Sequence, residues 1–307
     1  MMCTHPYVKD ASGMSLKQNS MATRANAIPF GCGRCLPCKI NKAREWTNRL
    51  MLEASCYDEN IFLTLTYDDD HLPNPPDVLP RDIQLFVKRL RDHVYPNKLR
   101  FFAVGEYGDN TWRPHYHLAI FNYSITDETP IIKAWTEKNK QIGHILIGDL
   151  NKDSARYIAG YCIKKLTNNN DKFTRDKLNG KKPEFSRSSR QEGGIGACAI
   201  DRISSVLRSK KYFDRNKAKV IRQCAFGANK LPLGRYLTSR LATNLDMGLA
   251  ECYELFCYEE KLKDEHLPKD DSYYTNYKAN LELSMQSQIN SMVKKHRIHD
   301  KTKRRTL

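Results

Sequence analysis

The chain has 307 residues, 40% of them hydrophobic, enough to fill a packed core. Its 51 lysines and arginines against 35 aspartates and glutamates give a net charge of +16; such an excess points to a polyanionic partner, because clustered cations gain by displacing counterions from phosphates. No run approaches the roughly 20 apolar residues of a membrane span, and Met1 to Lys9 lack the apolar centre of a signal peptide. The expected compartment is therefore the cytoplasm, where the 10 cysteines would stay reduced and favour thiol or metal chemistry over disulfides.

Three zones differ in character: a Cys-rich arm over 1–54, a patterned middle over 55–168, and a basic, irregular and then helical region over 169–307. In the arm, Cys32, Cys35 and Cys38 follow C-x₂-C-x₂-C spacing. With Cys3 they would supply four thiolates for a tetrahedral structural Zn²⁺. A ferredoxin run would need a fourth cysteine where Lys42 stands, so an iron–sulfur site fits less well. Free thiols in an unstructured arm are the alternative. The other six cysteines show no comparable clustering.

In the middle zone, Asn60 to Tyr67 is rich in β-branched and aromatic residues and reads as a strand. A Pro-rich loop, His71 to Pro80, leads into Ile83, Phe86, Val87, Leu90 and Val94 at helical spacing. Leu99 to Tyr107 and Pro114 to Asn122 read as two strands of a hairpin around Gly108-Asp109-Asn110. A short helix is expected over Pro130 to Lys138, a strand over His144 to Ile147, and a helix from Lys152 to Leu166. That order predicts an α+β domain, an antiparallel central sheet with packed helices.

Two constellations in this zone bear chemistry. On the strand Pro114 to Asn122, alternation puts His115 and His117 on one face and Tyr116 on the other. Glu106, near the end of the partner strand, would bring a carboxylate to the two imidazoles. Mixed nitrogen and oxygen donors suit Mn²⁺ and tolerate Mg²⁺, and such an ion polarises a phosphodiester. His-x-His is a short motif, however, and two histidines with no ligand role would read alike. In the final helix, Ala155, Ile158, Ala159, Cys162, Ile163 and Leu166 make an apolar stripe, with Tyr157, Tyr161 and Lys164 on the opposite face. A cation one turn beyond Tyr161 would favour its phenolate or contact a phosphate. Tyrosines packing on a neighbouring element are the plainer reading.

The stretches Phe62-Leu-Thr64-Leu-Thr66-Tyr67-Asp-Asp-Asp-His71-Leu-Pro73, Gly105-Glu106-Tyr107-Gly108, Arg113-Pro114-His115-Tyr116-His117 and Tyr157-Ile-Ala-Gly-Tyr161-Cys-Ile-Lys164-Lys165 resemble, in this order, the HUH endonuclease superfamily. Within it they look most like the replication initiators of microviruses, small single-stranded DNA bacteriophages, of the gokushovirus type. The resemblance covers most of 55–168 and implies a ferredoxin- or RRM-like core. It implies that His115 and His117 bind a divalent ion, with Glu106 as third ligand. A tyrosine would attack the DNA phosphate, leaving a 5′-phosphotyrosine and a 3′-hydroxyl that primes rolling-circle synthesis. The tyrosines of such a pair stand four residues apart, as here, and are thought to alternate. Tyr161 is the expected first nucleophile, since Lys164 completes the Tyr-x-x-Lys pattern of single-tyrosine relatives. Thr64, Thr66, Arg113 and Lys165, inside the matching stretches, are the expected DNA contacts. Phage initiators of this type tend to carry an N-terminal cysteine cluster.

Further along the likeness thins. The family's Ser-Arg-x-Pro-Gly-Ile-Gly stretch is nearest to Ser189-Arg-Gln-Glu-Gly193-Gly194-Ile195-Gly196, with glycine in place of proline, and Pro232-Leu-Gly-Arg235-Tyr236 resembles another family segment. The implied partners are single-stranded DNA at the viral origin and the host's helicase and polymerase, in the host bacterial cytoplasm. No G-x-x-x-x-G-K-[ST] loop occurs, so no ATP binding is expected. The basic run from Lys294 to Arg305 would sit on phosphates without reading sequence. A relaxase or transposase of the same superfamily is a neighbouring reading. A non-catalytic, zinc-stabilised DNA-binding protein is the alternative of another class. It would account for the charge and the cysteines, but not for a metal triad and a tyrosine helix occurring together.

Overall fold

The computed structural model describes residues 3, 7–9, 28–108, 110–164, 176, 178–209, 223–226 and 229–246, with the backbone alone at 7–9, 28–30, 162–164, 225–226 and 229. Contacts divide the chain into two units, Ala43–Asp246 and a second formed by Met1–Lys42 with Met247–Leu307. In the second unit the short strands β1 (Tyr7–Lys9) and β2 (Ile28–Phe30) pair antiparallel. The helix α1 (Leu36–Ala54) begins within the Cys-x₂-Cys-x₂-Cys run. The expected basic tail and Lys165 lie outside the described residues.

The larger unit is built on a five-stranded antiparallel sheet. Its order is β8 (Ile145–Asp149), β3 (Asn60–Thr66), β5 (Pro114–Phe121), β4 (Arg100–Tyr107), β9 (Phe185–Ser188). In β3 burial alternates along the strand, and Ile61, Leu63 and Leu65 are the buried set. The α+β expectation is met, and the hairpin β4–β5 falls where alternation put it. β9, the edge strand, had no sequence signal.

Each sheet face has its own core. Behind β3, β4 and β5 lies α2 (Pro80–His93), whose Ile83, Phe86, Val87 and Leu90 are all buried against Ile61, Leu63, Leu65, Leu118 and Ile120. Pro80 at the first helical turn and Asp82 near the positive helix end favour its start. On the front face, Leu50 and Ala54 of α1 and Ala155, Ile158 and Ala159 of α4 (Lys152–Lys164) cover Phe102, Val104, Ala119 and Phe121. The helix α5 (Ala197–Ser209) packs on α6 (Gly234–Asn244).

Three expectations need correction. The helix expected over Pro130 to Lys138 ends early: α3 is Thr129–Ala134. Trp135 closes it with a buried ring whose Nε1 donates to Thr66 O at 3.0 Å. Lys138 and Asn139 then take positive φ (48° and 64°), the geometry of a tight hairpin turn between β6 (Thr136–Glu137) and β7 (Lys140–Gln141). Second, the arm holds a 19-residue helix, α1, that the sparse apolar pattern of its sequence did not reveal. Third, not every cysteine is a thiol: Cys56 and Cys198 form a disulfide across 142 residues, where the end of α1 meets the start of α5.

The two family-like stretches with no assigned role are partners. Gly194 N donates to the Tyr236 hydroxyl at 2.8 Å, and the Arg49 guanidinium lies 4.1 Å from the Trp46 ring centre and 4.9 Å from that of Tyr236. Arg49 Nε also donates to Ile195 O at 3.0 Å. Buried Glu53 accepts from Arg100 and, at 2.5 Å, from Gly196 N, while Arg100 reaches Gly193 O at 2.9 Å. Gly193, which replaces the family's proline, has φ +91°, a value the proline ring cannot adopt.

Candidate metal centre and its tyrosines

The strand register assembles the site. Glu106 on β4 lies opposite His115 on β5, and on the other side Thr64 and Thr66 of β3 lie opposite His117 and His115. Alternation sends all five side chains to the front face, at the end of it that is polar. Glu106 Oε1 is 2.7 Å from His115 Nε2 and 3.2 Å from His117 Nε2. The three potential ligand atoms lie within 4.8 Å of one another. Each imidazole is also held by its far nitrogen: His115 Nδ1 donates to Arg113 O at 3.2 Å, and His117 Nδ1 is 2.9 Å from the Thr64 hydroxyl. Ligating histidines need this arrangement, with one nitrogen fixed so that the other points at the ion.

Glu106 and His117 are buried, and His115 is partly so. Burial opposes ionisation of Glu106, but the hydrogen bonds from His115 and His117 outweigh it and hold its carboxyl at about 2. Burial likewise opposes a charge on His115, and the Glu106 carboxylate overcomes it, raising the imidazole above its usual value. A buried carboxylate between two imidazole nitrogens is a donor set for a divalent cation of intermediate hardness.

The backbone beside the site is tight. A side chain at Gly105 would meet the Phe185 ring of β9 at 2.5 Å, so only glycine lets the edge strand approach next to Glu106. Phe62, which sequence reasoning did not single out, lies face to face with His117 at 5.8 Å between ring centres. It shares a strand face with Thr64 and Thr66, and that alternation was the available signal.

Both tyrosines of α4 reach this place. The Tyr161 ring is stacked on His117, 5.1 Å away and tilted by only 7°. Tyr157 meets His117 edge-on, also at 5.1 Å, and the two phenol rings are 5.1 Å apart. Tyr161 is 6% exposed and Tyr157 half-buried. Burial above all, and then the nearby Glu106 carboxylate and Tyr157 phenol, push the Tyr161 phenol well above its ordinary range. The tyrosines therefore do not point away from the packed side of the helix, as the wheel suggested. A helix lying on a sheet is contacted over a wide arc, and Tyr161 belongs to the same buried cluster as Ile158 and Ala159. The Lys164 side chain is outside the described set.

The expected DNA contacts have partners inside the chain. Arg113 pairs with Asp69 at 2.7 Å and donates to Tyr67 O at 3.0 Å. The Thr66 hydroxyl donates to His144 O at 3.3 Å. In the arm, Cys3, Cys32, Cys35 and Cys38 bring their sulfurs within 4.8 Å of one another, with Cys3 and Cys35 3.7 Å apart. Backbone N–H groups of Cys32 and Cys35 point at Cys3 Sγ (3.1 Å) and Cys32 Sγ (3.3 Å). Four converging thiols with amide donors aimed at sulfur fit a tetrahedral ion held by thiolates.

Comparison with known proteins agrees with this layout. Residues 60–166 match the family model of the replication-associated proteins of ORF2 type. The chain is 39% identical over 165 residues to Replication-associated protein VP4 of Bdellovibrio phage phiMH2K, covering 47% of this chain and 51% of the relative. It is 34% identical over 153 residues to Replication-associated protein ORF2 of Spiroplasma virus 4, covering 44% and 48%. A third relative, Replication-associated protein ORF4 of Chlamydia phage 1, is 30% identical over 158 residues, covering 46% and 39%. The chain thus spans about half, or less, of the length of the curated relatives it matches, and no solved structure matches it significantly. No described helix is long and apolar enough to cross a membrane. The sheet's central strands, the Glu-His-His group and the tyrosine helix all fall inside the matched segment, so residues 60–166 belong to the ORF2-type family of phage replication-associated proteins.

Proposed function

We propose that this protein initiates rolling-circle replication by nicking and rejoining single-stranded DNA at a viral origin, as a tyrosine endonuclease of the HUH type. The observation that carries the reading is the packing of two tyrosines from α4 on a histidine whose Nε2 converges with a second imidazole and a carboxylate. A replication role fits the names of its relatives.

Glu106, His115 and His117 hold a Mn²⁺ or Mg²⁺ ion in this reading, and the bound ion supplies a Lewis acid for the phosphate oxygens. The remaining steps belong to the chain. Tyr161 attacks: its phenol oxygen bonds to phosphorus, its proton is lost, and the 3′ oxygen of the preceding nucleotide leaves. The product is a 5′-phosphotyrosine and a free 3′-hydroxyl that primes synthesis. Tyr157, one turn away, makes the second cut after a round, so that the phenols alternate. Lys164 favours the phenolate, and Thr64, Thr66, Arg113 and Lys165 line the DNA. Zinc on Cys3, Cys32, Cys35 and Cys38 orders the arm. The host's helicase and polymerase, in its cytoplasm, do the unwinding and synthesis.

The test is Mn²⁺-dependent cleavage of end-labelled single-stranded origin DNA, with the covalent adduct read on a denaturing gel. Tyr161→Phe should impair the first cut, and Tyr157→Phe should allow one cut and impair turnover. An adduct still formed by the double Phe variant would refute the tyrosine chemistry.

A further inference from the structure

The residues between and beside the ligands carry a second pattern. Where Glu106, His115 and His117 face the front, Tyr107 and Tyr116 project to the back, and Tyr67 follows Thr66 there. All three rings are at most 6% exposed. Phenylalanine would fill such positions without burying a hydroxyl, whose desolvation is unfavourable unless it is hydrogen-bonded. All three hydroxyls are bonded, and all three reach the same short segment, Asp77 to Asp82, that leads into α2.

The bonds run in order. Leu79 N–H donates to the Tyr116 hydroxyl at 2.9 Å, the Tyr116 and Tyr67 hydroxyls are 2.6 Å apart, and Tyr67 donates to Asp82. Since Tyr67 spends its proton on Asp82, Tyr116 is the donor between the two phenols. Beside them the Tyr107 hydroxyl accepts from Val78 N at 3.3 Å and lies 3.1 Å from Asp77 Oδ1 and 2.8 Å from Lys182 O. A strand that is pinned by a hydrogen bond on one face cannot twist or slide without moving the neighbouring side chains on the other.

We propose that Tyr116 and Tyr107, together with Tyr67, are positioning residues: hydrogen-bonded from the back of the sheet to the Asp77–Asp82 segment, they set the spacing of Glu106, His115 and His117 for a divalent cation. The inference rests on the metal reading of that triad and reaches it without touching the ion. Groups that orient ligands typically change metal affinity about 10- to 100-fold when lost; acting through the backbone, Tyr116 stands at the lower end.

The experiment is calorimetric titration of Mn²⁺ into the full chain, in wild type, Tyr116→Phe, Tyr107→Phe and Val87→Ala. Val87 is buried in the same back core but makes no part of the tyrosine chain, so its variant controls for lost stability, judged by melting temperature. Tyr116→Phe should weaken Mn²⁺ binding about tenfold, Tyr107→Phe should weaken it in the same direction, and Val87→Ala should leave it unchanged. Wild-type affinity in both Phe variants would overturn the proposal, and so would an equal loss in Val87→Ala. A wild-type chain that binds no Mn²⁺ would instead overturn the metal reading, and this inference with it.

Discussion

Two groups of ligand atoms in this chain have the same compactness and opposite origins. The Glu106, His115 and His117 atoms and the Cys3, Cys32, Cys35 and Cys38 sulfurs each lie within 4.8 Å of one another. The first group sits on adjacent strands of a five-stranded sheet, fixed by the pairing of Glu106 with His115. Its imidazoles are held from behind by Arg113 O and Thr64. The second takes three members from one short run and the fourth from 29 residues before Cys32, and amides of that run itself donate to its sulfurs. In the sheet, the fold makes the site, whereas in the arm an ion would do much to make the fold. Removing metal should therefore leave the first geometry standing and loosen the second.

The largest effect should come from breaking the site that the fold makes. His115→Ala or His117→Ala should abolish Mn²⁺ binding and cut nicking about a thousandfold or more, the rate equivalent of several kcal/mol of transition-state stabilisation. Binding of single-stranded DNA should change little, because neither imidazole is a cation poised on a phosphate. Nicking at the wild-type rate by either variant would remove the metal from the mechanism.

Breaking the other site should do something different. Cys35→Ser with Cys38→Ser should lose one equivalent of zinc from protein purified without added metal, and make the arm sensitive to protease. Mn²⁺ affinity at the triad should stay as it was. Elemental analysis that finds no zinc in the wild type, or zinc retained in the double variant, would refute the cysteine site. A fall in triad affinity would mean that the contrast between the two groups is wrong.

How much of this was readable beforehand follows the same division. Ligands set by alternation on neighbouring strands could be named from the sequence, because a period of two is local information: His115, His117 and Glu106 needed only a hairpin. The orientation of α4 could not, because Tyr161 stands at the margin of the helix's apolar arc, and which margin is buried depends on the sheet beneath it. The Cys56–Cys198 bond joins residues 142 apart, and the clasp of Gly194 on Tyr236 spans 42; no local pattern encodes such pairs. The tyrosines behind the ligands were visible only as core residues, since the sequence shows a ring and not the partner of its hydroxyl.

Protons should compete with the ion at the triad and not through any general loss of structure. The His115 imidazole is raised above 6.5 by Glu106 despite its burial, and a ligand nitrogen must be unprotonated to bind. Mn²⁺ affinity should thus rise with pH until His115 has lost its proton, by up to about tenfold per pH unit in that range, and flatten above it. In Glu106→Gln the partner that raises His115 is gone, so the rise should move to lower pH while the plateau affinity falls. A pH-independent wild-type affinity across the imidazole range would contradict the arrangement.

The finest test uses two residues the sequence cannot tell apart. Thr64 and Thr66 occupy one strand face, both opposite a ligand histidine, and both were expected to touch DNA. Their hydroxyls do different things. That of Thr64 is 2.9 Å from His117 Nδ1, while that of Thr66 donates to the backbone oxygen of His144. Valine keeps the shape and β-branching of threonine and removes only the hydroxyl. Thr64→Val should free the His117 ring to turn and so weaken Mn²⁺ binding about tenfold, the lower end of what losing an orienting partner costs. Thr66→Val should leave that affinity within about twofold, because no ligand loses a partner. If both hydroxyls serve DNA instead, the two variants should raise the KM for the oligonucleotide alike and leave Mn²⁺ affinity alone. Equal effects of the two substitutions on metal binding would mean that the Thr64–His117 contact does not set the ring, and that the site is held by its strands alone.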